Sequence, residues 1–445
     1  MSGAKTVLVI DDDADYRKVV ALFLRQKGCP VLEANEGDEG IKLAKTHRPQ
    51  VILCDLLMPR CNGFQVCRAL RHDEALRQTR IIVTSGRHFE VDRQAALAAG
   101  ADDYLTKPFD PNLLLNILSE TDGAAPPADV TEVTEVDGPP GSEAVSLRFW
   151  GVRGSIPTPG PATVRYGGNT SCLELRADGR IIILDAGTGL RLLGQQLVAE
   201  FGDQPLDLTL LLTHTHWDHI QGLPFFMPVY HPRNQLRILG FEGARHGLDN
   251  ILTSQMESPF FPIGLREVPA NVTIEELKDF TFNVGPVKVQ AAFANHPGIC
   301  VGFRLFTSAG SIAFFPDNEM HQSNRPASPE LAAPEPAHFA RSENQKLIDF
   351  LSGTDILIID SQYDREEYAH HVGWGHGCLD EVVELAIEAR IKHLYLFHHD
   401  PNHDDAKIDQ MVAEARGLVA MRKAALEVDA AKEGLRVELP VAGRP

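Results

Sequence analysis

Between Leu211 and Gly222 the chain reads LLTHTHWDHIQG, which places His214, His216, Asp218 and His219 within six residues directly after a run of leucines. Imidazole nitrogens and a carboxylate oxygen are donors that a borderline cation such as Zn²⁺ takes. His214 and His216, two apart at a strand end, can point the same way because alternate side chains of an extended chain share a face. The Asp218-His219 pair beside them can feed a second ion, so one segment can serve two metals once distant residues complete each shell. The competing reading is a solvated histidine-rich turn, or buried histidines bonded to backbone carbonyls. Four ligand-type side chains packed behind a buried strand favour metal. Histidine and aspartate return at widely separated points: NHPG (295–298), FFPDNE (314–319), GWGHG (373–377) and LYLFHHDPNHDD (394–405).

A second set of polar residues lies near the N-terminus. Asp11 and Asp12 follow VLVI, Asp55 follows VILC, Thr84 and Ser85 close IIVTS, and Lys107 follows DYLT. Three carboxylates at one sheet edge repel one another unless a divalent cation sits among them, and oxygen-only donors suit Mg²⁺. Lys107 opposite them can pair with a carboxylate or with a phosphoryl group carried on it. A single Asp in such a place usually starts a helix as its N-cap. The whole set in this order is not explained that way.

The elements that must position these residues follow from the apolar runs. VLVI (7–10), VLEA (31–34), VILC (51–54), IIVT (81–84) and DYLT (103–106) alternate with helix-length amphipathic segments. That alternation predicts a doubly wound α/β domain: a parallel five-stranded sheet, helices on both faces, and a working edge at the strands' carboxyl ends. From about residue 146, SLRFWGVRGSIP, SCLELRADGRIIILDAGTG and LDLTLLLTHTHWDH read as successive strands, with Asp178-Gly179 closing a hairpin. ILIIDS (356–361) lies between the later motifs, and the periodicity of CLDEVVELAIEARI (378–391) predicts a helix. Residues 121–145 hold six acidic residues, four prolines and no Lys or Arg, a composition that does not bury enough apolar surface to fold. The expected organisation is therefore a domain at 1–120, a flexible acidic linker at 121–145 and a second domain at 146–445, free to move relative to each other.

A length of 445 residues suits two or three domains, and 43% hydrophobic residues are ample for their cores. The net charge of -19 argues against gripping long nucleic acid through its phosphates. Small phosphorylated ligands stay open, because a metal can supply the positive charge. Seven cysteines without tight paired spacing indicate neither a disulfide framework nor a zinc knuckle, and fit a reducing cytoplasm. No apolar run reaches the roughly 18 residues of a spanning helix, so no membrane association is expected.

Over about 120 residues the N-terminal segment resembles the receiver domain of bacterial response regulators. The resemblance implies Asp55 as phosphoacceptor, Asp11 and Asp12 as Mg²⁺ holders, Thr84 and Lys107 as contacts to the acyl phosphate, and Tyr104 as the aromatic switch. It also implies a cis Lys107–Pro108 bond and a sensor histidine kinase as partner. HTHWDH resembles the HxHxDH signature of the metallo-β-lactamase fold, an αββα sandwich, and the match runs from Phe149 to the region of His398. On that resemblance His214, His216 and His296 hold one metal, Asp218, His219 and His398 the other, and Asp317 bridges both; Asp218 then counts among the catalytic groups. True β-lactamases usually carry Cys at the position of Asp317. The Asp, with FWGVRGSIPTPG, RYGGNTSC, LDAGTG (184–189) and a GxGH element, looks like the branch of ribonuclease Z and the cyclic-nucleotide phosphodiesterases. Two points depart from that pattern. FHHDPNHDD offers His398 or His399 as ligand, the strand-end position favouring His398. GxGH continues His376-Gly377-Cys378 rather than His-Ser-Thr, so His376 either protonates a leaving alkoxide or merely bonds Asp360.

Two divalent ions about 3.5–4 Å apart activate water and clamp phosphoryl oxygens. The donor set suits Zn²⁺, with Mn²⁺ and Fe²⁺ also fitting. The implied function is a phosphorylation-regulated phosphodiesterase acting on a small substrate such as a 3′,5′-cyclic nucleotide, with regulation through docking of the receiver or through a homodimer. One alternative is RNA 3′-end processing, which the acidic balance and the lack of a basic arm disfavour. The other is a non-hydrolytic di-iron sensor, whose relatives commonly carry Glu at the position of His216. The stretches 223–270 and 322–337 look like insertions that roof the site and set its substrate.

Overall fold

We describe a computed structural model of the chain, covering residues 5–58, 60–86, 90–107, 109, 114, 145–241, 247–322 and 337–439. The acidic stretch 121–144, the Lys107–Pro108 bond and the Pro-rich 323–336 lie outside the described residues. The chain separates into two compact units, one built on the N-terminal sheet and one on the rest.

In the first unit, β1 (Val7–Ile10), β2 (Val31–Ala34), β3 (Val51–Asp55), β4 (Arg80–Ser85) and β5 (Asp103–Thr106) form a sheet of order β2-β1-β3-β4-β5. Every pairing is parallel, as the alternation of strand and helix predicts. The central strands are buried on both faces, which is why they read as unbroken apolar runs. Val7, Val9, Leu53 and Ile82 share a core with Leu24 of the helix Ala14–Gln26. On the other face, Ile10 lies so close under Gly40 of the helix Gly37–His47 that a Cβ there would sit 2.4 Å from it. In the run Asp11-Asp12-Asp13 the helix cap is the third residue: Asp13 accepts from the backbone N–H of Asp15 and Tyr16. Capping therefore accounts for Asp13 and leaves Asp11 for another role.

The second unit is an αββα sandwich. Its strands are β6 (Ser146–Gly151), β7 (Cys172–Ala177), β8 (Arg180–Leu184), β9 (Asp207–Leu212), β10 (Gln235–Gly240), β11 (Asn271–Glu276), β12 (Thr281–Val284), β13 (Val287–Phe293), β14 (Val301–Thr307), β15 (Gly310–Phe315), β16 (Ile356–Asp360), β17 (His393–Phe397), β18 (Glu427–Ala430) and β19 (Arg436–Glu438). They make two seven-stranded sheets, β11-β10-β9-β8-β7-β6-β19 and β12-β13-β14-β15-β16-β17-β18. β7 and β8 form the expected hairpin, with Asp178 and Gly179 both at positive φ (52° and 78°), as a tight two-residue turn requires.

Alternation along each strand assigns the layers. Leu184, Leu211, Phe314, Ile358 and Phe397 point into the core between the sheets. Their neighbours Ile183, Leu210 and Leu212 face the outer layer built on the helix Gly189–Phe201. Phe315, Ile359 and Leu396 face the opposite layer, which includes the helices Leu379–Glu388 and Asp405–Arg422. β8 runs parallel to β9, and β15, β16 and β17 run parallel to one another. No helix among the described residues is long and apolar enough to cross a membrane.

Candidate metal centre and phosphoacceptor site

In the first unit the carboxyl ends of β1, β3, β4 and β5 bring the expected residues together. Lys107 Nζ lies 2.7 Å from Asp11 Oδ2 and also pairs with Asp55 Oδ1. The second oxygen of Asp55 accepts from Leu57 N at 2.9 Å. All three side chains are buried. Burial, then the charge of Asp55, pushes the Asp11 carboxyl up to about 6, and burial also raises Asp55. Burial works against the Lys107 ammonium, but Asp55 and Asp11 outweigh it and raise its pKa. One ammonium shared by two close carboxylates leaves a site that gains from further positive charge, such as Mg²⁺. Thr84 is buried and is the register partner of Asp55 across β3 and β4. Asp12 is exposed, and Tyr104 is half-buried beside Val83 on β5. Sequence reasoning missed Tyr16, whose ring stacks under Lys107 Nζ at 4.6 Å. Its position, three residues into a helix from the Asp13 cap, gave no sign of this.

In the second unit the metal-type residues sit at strand ends of both sheets. Thr213 to His219 follow β9, His296 follows β13, Asp317 follows β15, Asp360 closes β16 and His398 follows β17. They assemble into overlapping groups with donor atoms within 4.8 Å: His214, His216 and His296; Asp218, His219 and His398; His214, His219 and Asp317; and Asp317 with Asp360, His376 and His398. Asp317 lies between the others, with Oδ2 at 2.9 Å from His219 Nε2 and Oδ1 at 3.2 Å from His398 Nε2. All seven expected ligands are thus brought together. His399 is not among them; its Nε2 donates to Ala431 O at 2.9 Å, away from the cluster.

The histidines are held by their other ring nitrogen. His219 Nδ1 donates to Asp185 Oδ2 at 2.7 Å, His296 Nδ1 to Gly375 O at 2.8 Å, and His398 Nδ1 to Gln362 Oε1 at 2.9 Å. Thr213 Oγ1 donates to Asp185 and accepts from His214 Nδ1 at 3.1 Å. Each bond fixes the tautomer and turns a bare Nε2 toward the cluster. His216 instead presents Nδ1, 3.0 Å from His296 Nε2. Asp218 Oδ2 accepts from Ser155 N at 2.7 Å.

Burial keeps His214 and His296 neutral, well below the ordinary imidazole pKa. Burial also opposes charge on His219, but Asp218, Asp317 and Asp185 hold its pKa well above that range. His214 Nε2, His219 Nε2 and Asp317 Oδ2 are buried without a hydrogen bond of good geometry, the last two being an ion pair 2.9 Å apart. An unsatisfied buried polar atom costs on the order of 1–3 kcal/mol, so a bare His214 Nε2 aimed at this pair points to a ligand between them. Two groups of imidazoles around a shared carboxylate fit a pair of divalent ions.

Three residues here take left-handed backbone conformations although none is glycine: Ser155 (φ 63°), Asp185 (φ 60°) and His398 (φ 60°). Each costs roughly 1–2 kcal/mol, and each places a group on the cluster or on a ligand.

Beside the metal-type residues, His376 Nδ1 lies 2.9 Å from Asp360 Oδ2 and 3.5 Å from Asp317 Oδ1. Burial lowers its pKa, but Asp360 more than compensates and lifts it to about 9. The loop that carries it is clamped by Glu319, whose Oε1 accepts from Gly373 N at 2.6 Å and whose Oε2 accepts from Gly375 N at 2.9 Å. Tyr368 OH donates to Glu319 Oε1 at 2.8 Å. Sequence reasoning missed Glu319, Gln362 and Ser155 and gave Asp185 no role. FFPDNE, with two acids separated by one residue, held the only signal for Glu319.

Residues 7–119 match the response regulator receiver domain family, and residues 180–399 match the β-lactamase superfamily domain. Protein PilG of Pseudomonas aeruginosa is 35% identical over 118 residues, 26% of this chain and 87% of that protein. The alkaline phosphatase synthesis transcriptional regulatory protein PhoP of Bacillus subtilis is 32% identical over 130 residues, 28% of this chain. The match spans about half of PhoP, 53% of its length. Among solved structures, the metallo-β-lactamase fold protein YhfI of Bacillus subtilis is 18% identical with a TM-score of 0.46, covering 66% of this chain and all (100%) of that one. The protein belongs to the response regulator receiver family. Its second unit, an αββα sandwich, matches the β-lactamase superfamily domain over residues 180–399.

Proposed function

We propose that this protein is a two-component response regulator whose output domain is a dinuclear-metal phosphodiesterase, acting on a small substrate such as a 3′,5′-cyclic nucleotide. The observation that carries the reading is Asp317, a carboxylate rather than a thiol, set between two histidine groups and 3.5 Å from His376. His214, His216 and His296 would hold one ion, Asp218, His219 and His398 the other, and Asp317 both. Two divalent ions, when bound, supply Lewis acidity for phosphoryl oxygens and an activated water. The chain's own contribution is orientation. Asp360 accepts Nδ1–H of His376, which leaves Nε2–H to pass to the leaving alkoxide, a general-acid role. Zn²⁺ suits the donors, and Mn²⁺ or Fe²⁺ would also fit.

Asp55 would accept a phosphoryl group from a sensor histidine kinase, with Mg²⁺ held by Asp11 and Asp12, Thr84 and Lys107 contacting the phosphoryl oxygens, and Tyr104 as switch. Residues 1–120 are the receiver, 121–145 the linker and 146–445 the hydrolase. The receiver would act by docking on the hydrolase or by pairing two chains. The test is a hydrolysis screen of bis(p-nitrophenyl) phosphate, cyclic AMP, RNA and a lactam on protein loaded with one metal at a time. Cyclic AMP or the diester should turn over and the lactam should not. His376→Ala should keep both ions while turnover falls roughly 10²–10⁴-fold. Lactam hydrolysis with inert diesters would reverse the choice of reaction, and no turnover with iron bound would favour the sensor.

A further inference from the structure

Trp374 is held from several sides and still faces water. Its two neighbours in the chain, Gly373 and Gly375, both donate their backbone N–H to Glu319, so the peptide on either side is fixed. Its own N–H donates to His371 O at 3.0 Å. Its indole stands edge-on to the ring of His371, centroids 4.8 Å apart at 85°. His371 in turn stacks on Tyr363 at 4.3 Å and 11°, and Tyr363 meets His376 edge-on at 6.3 Å. The indole nevertheless remains 59% exposed. A single exposed apolar side chain is ordinary. One braced through a clamped loop, one residue from the carbonyl that orients His296 and two from His376, is a preorganised surface on the segment that serves the reaction centre.

We propose that Trp374 is the platform on which the planar base of a nucleotide substrate stacks while its phosphodiester lies over the His/Asp cluster. This rests on the phosphodiesterase reading and narrows its substrate to molecules bearing an aromatic ring. Every base has a π-face, so the platform selects for a base without choosing among bases, and stacking of this kind changes affinity by roughly tenfold.

The test compares cyclic AMP with ribose 3′,5′-cyclic phosphate, which has the same reacting group and no base. In Trp374→Ala the ratio of kcat/KM for cyclic AMP to that for the base-free analogue should fall about tenfold, through KM for cyclic AMP; Trp374→Phe, which keeps a ring, should restore most of it. A ratio within about twofold of the parent in Trp374→Ala would overturn the proposal. A second measurement needs no turnover: AMP should quench tryptophan fluorescence of the full-length metal-loaded protein, Trp217→Phe should keep the quench and Trp374→Phe should lose it. Persistence of the quench in Trp374→Phe also overturns the proposal. If the parent hydrolyses neither cyclic phosphate, the phosphodiesterase reading fails by itself and the fluorescence titration still decides whether Trp374 takes a base.

Discussion

Gly375 donates its N–H to Glu319 Oε2 at 2.9 Å, while its carbonyl accepts Nδ1–H of His296 at 2.8 Å. One residue thus transmits the position of a buried carboxylate to a ligand-type histidine. Gly375 has φ of 87°, and a Cβ there would lie 2.6 Å from His296 Nδ1, so no other residue fits.

Glu319→Ala should therefore weaken metal binding roughly tenfold or more, acting through Gly375, because groups that orient ligands typically contribute that much. Competition against a chromophoric chelator measures it. Glu319→Gln, which keeps one acceptor for the two N–H groups, should fall between the two. Parent-like affinity in the Ala variant would reduce Glu319 to a structural residue.

His398 and His399 separate cleanly. His398→Ala should bind about one metal ion fewer by elemental analysis, since its Nε2 faces both Asp218 and Asp317 at 3.2 Å. His399→Ala should keep the parent's metal content and instead lose about 1–3 kcal/mol of stability, because Ala431 O is left without its donor. The reverse pattern would exchange their roles.

Asp55→Asn should abolish labelling by acetyl phosphate in the presence of Mg²⁺, and Lys107→Ala should weaken the response to it, since Lys107 is the buried cation paired to that carboxylate. Phosphate incorporation by intact-protein mass spectrometry reads both. Undiminished labelling of the Asn variant would place the phosphoacceptor elsewhere.

Stripping metal should lower the thermal transition of the second domain. His214 Nε2 is left bare in the buried cluster, and a ligand at about 100 times its Kd stabilises by roughly 2.7 kcal/mol. Calorimetry with and without chelator should show the shift, and re-addition of Zn²⁺ should reverse it. An unchanged transition would mean the cluster binds no ion tightly.

Strand positions in the receiver were legible because parallel strands buried on both faces read as unbroken apolar runs: DYLT corresponds to β5 residue for residue. The ligand-type residues were legible because donor chemistry restricts them to His and Asp at strand ends. The groups that orient them were not. Glu319, Gln362 and Asp185 are ordinary acids or amides whose partners lie far away in sequence, Gln362 to His398 across 36 positions and Asp185 to His219 across 34. Asp11 and Asp13 show the same limit at short range. Identical residues two apart divide into a site carboxylate and a helix cap, and the cap role of Asp13 became visible only in the fold.

The left-handed residues Ser155, Asp185 and His398 differ in whether evolution could relax their backbone without touching the cluster. Glycine adopts that backbone without steric strain, so selection for thermal endurance alone would drift toward it only where the side chain makes no buried bond. At 155 the drift is harmless, because the contact to Asp218 runs through the main chain. At 185 and 398 it would erase a carboxylate and an imidazole. A laboratory lineage evolved only for heat resistance should thus accept the first exchange and surrender metal with either of the others.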